Sequence, residues 1–170
     1  MAAKKRGSKR VVGLAGKGRL ARVSVSRIEW IQAMEDEKRS TAILQPIGLD
    51  LMLKVIILNN FRQRAEDVDK LMKSMNMIQK ARLAHILGLI SKTVLNDLEQ
   101  LHEIRNKFAH SFEASFASTK VLGFVRNLST AKGGVITKKN SYEFYSTALG
   151  KCLARLVHCM NTMSKDKKGQ

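Results

Sequence analysis

Several things are scarce in this sequence, and each scarcity excludes something. Cysteine occurs only as Cys152 and Cys159, too few for the disulfide framework of a small secreted protein. The two lie seven residues apart within a helical apolar pattern. That spacing sets both in one core stripe as small hydrophobes and predicts a reducing compartment, the cytoplasm. Long apolar runs are missing too. Val11-Val12-Gly13-Leu14-Ala15-Gly16 is interrupted by glycine and followed at once by Lys17, unlike the continuous apolar segment of a signal peptide. The run from 41 to 53 contains Pro46 and Asp50 and stops at Lys54. It falls short of the roughly 20 residues that span a bilayer, so no membrane crossing is expected. No stretch alternates as a strand would, and no segment repeats at a fixed period. Acidic residues are absent altogether from positions 1–28, where nine Lys and Arg stand unopposed.

That last absence dominates the electrostatics. The whole chain of 170 residues has 31 Lys and Arg against 14 Asp and Glu, a net +17, and the part after residue 28 still carries 22 basic and 14 acidic residues. A surface of one sign attracts polyanions by Coulomb attraction and counterion release, and nucleic acid is the commonest such partner. The cations of the opening stretch are Lys4, Lys5, Arg6, Lys9, Arg10, Lys17, Arg19 and Arg22, interspersed with Gly7, Gly13, Gly16 and Gly18. With no large apolar spacing, residues 1–27 read as a disordered basic arm that contacts phosphates without reading bases. A solubilising tail with no dedicated partner is the plainer alternative.

The rest is patterned for helices. Ser26 stands three residues before Glu29, a capping-box spacing, ahead of Ile28, Trp30, Ile31 and Met34, which predicts a short first helix. Pro46 suits the first turn of a second helix whose face runs through Leu49, Leu53, Ile56, Ile57 and Asn60 toward Phe61 and Ala65. A third segment carries Ile78, Ala81, Leu83, Ile86, Leu87 and Ile90, and Gly88 marks close packing or fraying. Ser91 is placed to cap a fourth helix from Val94 to Phe108. Beyond Ser111 the polar content rises and Gly133-Gly134 interrupts the chain, with one short helix around Val121, Leu122, Phe124, Val125 and Leu128. Asn140 and Glu143 again have cap spacing, before a long last helix through Tyr142, Tyr145, Leu149, Cys152, Leu153, Leu156, Val157, Met160 and Met163. The expected fold is all-α: a single irregular helical bundle over 28–163, behind the arm and ahead of a frayed tail at 164–170.

Chemistry concentrates on the fourth helix. At 100° per residue, Arg105 falls in the same stripe as Val94, Leu98, Leu101 and Phe108. A guanidinium so placed needs a carboxylate, a helix C-terminus or a polar cleft between subunits, since burying a lone charge costs several kcal/mol. His102, Asn106 and His110 form a polar ridge at i, i+4 and i+8. Two histidines without carboxylate or thiolate companions do not make a zinc site, so neither metal nor cofactor is expected.

The stretch Arg105-Asn106-Lys107-Phe108-Ala109-His110 resembles the R-x4-6-H motif of the HEPN superfamily, all-helical and usually dimeric proteins. In its ribonuclease members the motif from two subunits lines a dimer cleft and promotes metal-independent attack of a ribose 2′-hydroxyl on the adjacent phosphate. The resemblance implies His110 as general acid or base, Arg105 stabilising the phosphorane's charge and Asn106 orienting them.

A longer block, Lys80-Ala81-Arg82-Leu83-Ala84-His85-Ile86-Leu87-Gly88-Leu89-Ile90, then Asp97-Leu98 and Ile104-Arg105-Asn106-Lys107-Phe108-Ala109-His110-Ser111, is similar to the mannitol operon repressor family. Phe116 and Val125-Arg126-Asn127-Leu128 extend the similarity, which covers about residues 46–160 and leaves the arm outside. It implies an all-helical protein associated with transcriptional regulation, a homodimer that contacts nucleic acid or a transcription factor. No short Gly-centred turn leads into a helix bearing a cluster of base-reading side chains, so sequence-specific DNA readout is not expected. Two rivals stand beside this reading. One is a HEPN-type ribonuclease of growth arrest or phage defence with Arg105, Asn106 and His110 as its site. The other is an adaptor in which Arg105 belongs to a dimer interface.

Overall fold

Leu49, Leu53, Ile56 and Ile57 are fully buried, as their spacing predicts, and they lie on the helix around which the rest is built. The computed structural model describes residues 27–61 and 65–165. The arm up to residue 26 with its eight cations, the Ser26 cap, the Ile28, Trp30, Ile31 and Met34 side chains, and the tail from 166 onward lie outside the described residues. The described residues form six helices and no strand. These are α1 (Arg27–Asn60), α2 (Ala65–Ser74), α3 (Met77–Ile86), α4 (Lys92–His110), α5 (Thr119–Arg126) and α6 (Ser141–Lys165), with a 3-10 turn at Ser129–Ala131.

The two helices expected before and after Pro46 are one helix of 34 residues. Proline has no N–H, so the Ala42 carbonyl lacks its i+4 donor, an arrangement that costs about 3 kcal/mol in a helix interior. Packing overrides this. Ala42 on one side of the proline and Leu49, Leu53, Ile56 and Ile57 on the other all have zero exposure and sit in one core, which holds both halves in line. The charges that seemed to cut the apolar run are partnered: Asp50 accepts from Lys80 on α3, and Lys54 meets Asp69 on α2 at 2.6 Å. As a result the Glu35–Asn60 segment is long and apolar enough to cross a membrane by length and composition alone, with 33% of its most apolar window buried. Its five fully buried residues, Ala42, Leu49, Leu53, Ile56 and Ile57, are those of a core helix.

α1 packs against α6, α3, α4 and α2. The short α2 was not expected. It carries Glu66 and Asp67 in its first turn and Lys73 in its last, matching the helix dipole, and buries Met72. Asn76 and Gln79 form a reciprocal capping box at 2.9 and 2.8 Å that starts α3. Gly88, at φ 73°, then ends α3 in a left-handed turn that glycine adopts without strain. The buried face of α3 is Met77, Lys80, Ala81 and Ala84, so Ile86, expected inside, is 80% exposed.

Ser91 caps α4 as expected, its hydroxyl accepting from the Val94 amide. Asp97, buried near the start of α4, accepts from the Ser129 amide at 2.7 Å and the Ser129 hydroxyl at 2.5 Å, tying the 3-10 turn to the helix. α5 buries Val121, Leu122 and Val125, as its pattern predicts. The Asn140 side chain does not cap α6. Its Oδ1 accepts from the Thr137 amide and hydroxyl, closing the preceding turn instead. At the far end of the core, Phe116 packs against Phe108, Tyr142 and Tyr145 with centroids 4.9–5.1 Å apart, joining α4 to α6. The buried Ser141 hydroxyl fastens the same corner by donating to the Phe116 carbonyl.

Candidate functional site

The IRNKFAHS block occupies the last two turns of α4. Ile104 and Phe108 are buried there, whereas Arg105, Asn106 and Lys107 are half-buried and His110 is exposed. Arg105 therefore sits beside the apolar stripe rather than within it. Its Nη1 donates to Asn106 Oδ1 at 3.2 Å, and it lines a polar cleft of about 210 Å³ with His102, Asp50, Asn76 and residues of the Pro46 turn. Of the three partners its placement demanded, none is met as stated: the cleft beside Arg105 is formed within one chain and is lined also by Pro46, Ile47 and Met77. The one carboxylate in that cleft, Asp50, is gripped by Lys80 Nζ at 2.8 and 2.7 Å.

The helix C-terminus has a different arginine. Arg39 of α1 donates to the carbonyls of Phe108 at 2.5 Å, Ser111 at 3.0 Å and Phe112 at 3.2 Å, and its guanidinium lies 5.3 Å from the Phe112 ring centroid and 5.9 Å from that of Phe108. The last carbonyls of a helix are orphaned acceptors at the negative end of its dipole, and a planar cation with several donors satisfies both needs. The end of the block is thus a structural joint between α1 and α4.

Within one chain the three motif residues are only partly assembled. Arg105 and Asn106 bond to each other, but five residues at 100° each turn His110 about 140° away from Arg105. His110 does not line the Arg105 cleft and has no hydrogen-bond or ion-pair partner among the described residues. His102 does line it. Burial holds the His102 imidazole below its usual range, Arg105 pushes the same way, and Glu103 and Asp50 pull against them. A neutral histidine next to an arginine is a combination that suits proton transfer at a phosphate. The sequence signal for it was the His102–Asn106–His110 ridge.

Among the described residues no three His, Cys, Asp or Glu side chains are grouped as a metal ion would need. Cys152 is buried, its thiol pushed up to about 12 by burial and by Asp97, and burial raises Cys159 as well, so neither is a ready nucleophile.

Two surfaces complete the inventory. The outward face of α1 exposes Leu44, Ile47, Leu51 and Val55, residues three and four apart that form a continuous apolar stripe. Ile47 belongs both to this stripe and to the wall of the Arg105 cleft. A larger cleft of about 850 Å³ opens between the turn after α3, the start of α4 and the second half of α6. No family model, curated protein or solved structure matches the chain.

Proposed function

We propose that this protein is a non-enzymatic regulator of the mannitol repressor type, a cytoplasmic homodimer that contacts nucleic acid through its basic arm. The observation that carries the reading is the charge distribution: nine cations and no acid in residues 1–28 of a chain with net charge +17. Such an arm neutralises phosphates and releases counterions, which supplies affinity without sequence readout. The Arg39 clamp supports the non-enzymatic side of the reading, because it gives the IRNKFAHS block a structural task. A transcription factor remains the alternative partner of the same surface.

The α1 stripe supports the dimer. Gly48 lies within it, and a Cβ added there would meet nothing within 4 Å. Glycine in a helix interior costs about 1 kcal/mol relative to alanine, and no contact inside the chain requires it. A glycine there leaves room for close approach of a second α1. Leu51→Lys is expected to convert a dimer to a monomer in sedimentation equilibrium, and a monomeric wild type would remove this part of the proposal.

Binding is tested by fluorescence anisotropy of a labelled oligonucleotide across a salt series, comparing wild type with a chain in which the eight arm cations are changed to glutamine. The expected slope of log K against log salt is steep, about 0.7–0.9 per phosphate contacted, and should collapse in the variant. A wild type that binds no nucleic acid at low salt refutes the reading.

The second reading is a metal-independent ribonuclease, favoured by the Arg105–Asn106 hydrogen bond inside a polar cleft shared with His102. Because Ile47 lies on both the cleft and the stripe, pairing of two α1 faces would bring two such clefts together. Incubation with mixed RNAs in EDTA separates the readings: cleavage by wild type and none by His110→Ala makes the protein an enzyme.

A further inference from the structure

The larger cleft has an uneven charge. Its α6 wall presents Lys151, Arg155 and His158, at i, i+4 and i+7 and hence on one helix face, and its opposite wall presents the Ser91 and Thr93 hydroxyls. From Phe144 to Lys165 the sequence has no acidic residue. The one carboxylate lining the cleft, Asp97, is only 4% exposed and is committed to the amide and hydroxyl of Ser129.

The cations themselves are uncommitted. The described cations of α1 and α3 have partners: Lys38 with Glu35, Arg39 with three carbonyls, Lys54 with Asp69, Lys80 with Asp50 and Arg82 with Glu99. The side chains of exposed lysines such as Lys92, Lys120 and Lys138 have none among the described residues, so what distinguishes the α6 row is its place along one concavity. Lys151, Arg155 and His158 have no hydrogen-bond or ion-pair partner among the described residues. Two cations and an imidazole N–H donor line one concavity whose single carboxylate is already committed to Ser129, which makes an anion-attracting wall, since the concavity focuses the field of Lys151 and Arg155.

We propose that this cleft seats the sugar–phosphate backbone of a single nucleic-acid strand, with Lys151, Arg155 and His158 donating to phosphate oxygens. The inference rests on the reading that the protein binds nucleic acid, and it adds a second contact surface, on the folded domain, to the arm. Size selects the form of the ligand. The cleft, of about 850 Å³, is a recess between α4 and α6 in which one sugar–phosphate backbone can lie between the two walls, whereas the wider duplex meets only its rim. The seven helical steps from Lys151 to His158 span about 10 Å along α6, long enough for the row to engage successive phosphates rather than one.

The test compares the full-length wild type with Lys151→Gln/Arg155→Gln and with a charge-matched control, Lys138→Gln/Lys139→Gln, whose two lysines are exposed and lie outside the cleft. Anisotropy is read with a labelled 12-nucleotide single strand and with the duplex of the same sequence. The cleft variant is expected to lose on the order of tenfold in single-strand affinity at low salt, and about 1.4 from the salt slope, for two lost contacts. The control should change by less than about threefold, and duplex binding should respond alike in both variants. Equal losses in cleft variant and control overturn the inference while leaving arm binding intact, whereas a wild type that binds nothing removes both it and the reading beneath it. A loss as large for the duplex as for the strand overturns the single-strand assignment. Photocrosslinking of a 4-thiouridine strand to the wild-type chain needs no variant: crosslinks in peptides spanning 88–97 or 151–163 support the cleft, and crosslinks confined to 1–28 refute it.

Discussion

Replacing Arg39 by methionine keeps the aliphatic stem that crosses from α1 to α4 and removes the charged fork. Three acceptors then lose their donor: the carbonyls of Phe108, Ser111 and Phe112. A hydrogen bond to a charged group contributes about 1.5–3 kcal/mol in mutational series, and a cation at a helix C-terminus adds about 0.3–1 kcal/mol. The three bonds share one guanidinium, and Arg39 is half-exposed, so water can replace part of what is lost. The sum does not apply, and a net loss of about 2 kcal/mol is the reasonable expectation. For a chain of this length that is a fall of about 4–8 °C in Tm, readable by circular dichroism alongside a urea titration. Arg39→Lys should fall between the two, since an ammonium presents its charge without the planar fork. Hydrogen exchange adds a local readout, because amides in the turn after α4, such as Ala114, should exchange faster in the methionine variant. If Arg39→Met lies within about 0.5 kcal/mol of wild type, the clamp is ornamental, and the block at the end of α4 regains its claim to a purely functional explanation.

Other perturbations follow from the same structure. Asp97→Ala strips the Ser129 amide and hydroxyl of their acceptor in a nearly dry site and should cost about 2–3 kcal/mol in urea unfolding, whereas a change under 1 kcal/mol would show that the 3-10 turn does not depend on it. Pro46→Ala restores a donor to the Ala42 carbonyl and should stabilise the chain by about 1 kcal/mol; destabilisation would mean that the proline ring's packing outweighs the missing bond. For His102, burial depresses the folded-state pKa below 6.5, so the unfolded chain takes up the proton first as pH falls. Its contribution to stability is complete above about pH 6.5 and is lost progressively below it. His102→Gln should flatten that part of the stability profile, and an unchanged profile would refute the assignment.

What the sequence revealed and what it concealed divide along a physical line. Periodicity located Leu49, Leu53, Ile56 and Ile57 of α1, Leu98, Leu101 and Phe108 of α4, Val121, Leu122 and Val125 of α5 and Tyr145, Cys152 and Leu156 of α6, because burying apolar area is a local property of a stripe. It missed Leu95 and Ile104, and it counted Leu153 and Val157, which are exposed. It misjudged Pro46, since a local rule about a missing N–H is outweighed when both flanking halves share a core. It also assigned Arg105 to the stripe on angle alone, although Ile104 and Phe108 leave a half-exposed position beside them. The polar joints were invisible for a different reason. Arg39 with the end of α4, Lys80 with Asp50, and Asp97 with Ser129 each link residues 30 or more positions apart. Asp97 and Lys80 did leave a trace, a charged residue at a core position of an otherwise apolar face, which is a reason to search for a partner. The Lys151, Arg155 and His158 row was legible as one face of α6, but the wall that turns that face into a cleft comes from the distant start of α4.

The two-sided character of α1 also has a consequence in time. Its inward residues are covered most extensively by α6, which begins at Ser141, about eighty residues after α1 ends at Asn60. At a synthesis rate of about 5–20 residues per second, α2, α3 and α4 follow α1 and cover much of its inward face, but the part that α6 covers stays bare for roughly 4–16 s. During that interval this part of the inward face is as available to a stranger as the outward one. Slowing translation between α1 and α6, or truncating the chain before Ser141, should therefore raise the demand for chaperones more than any change to the finished surface.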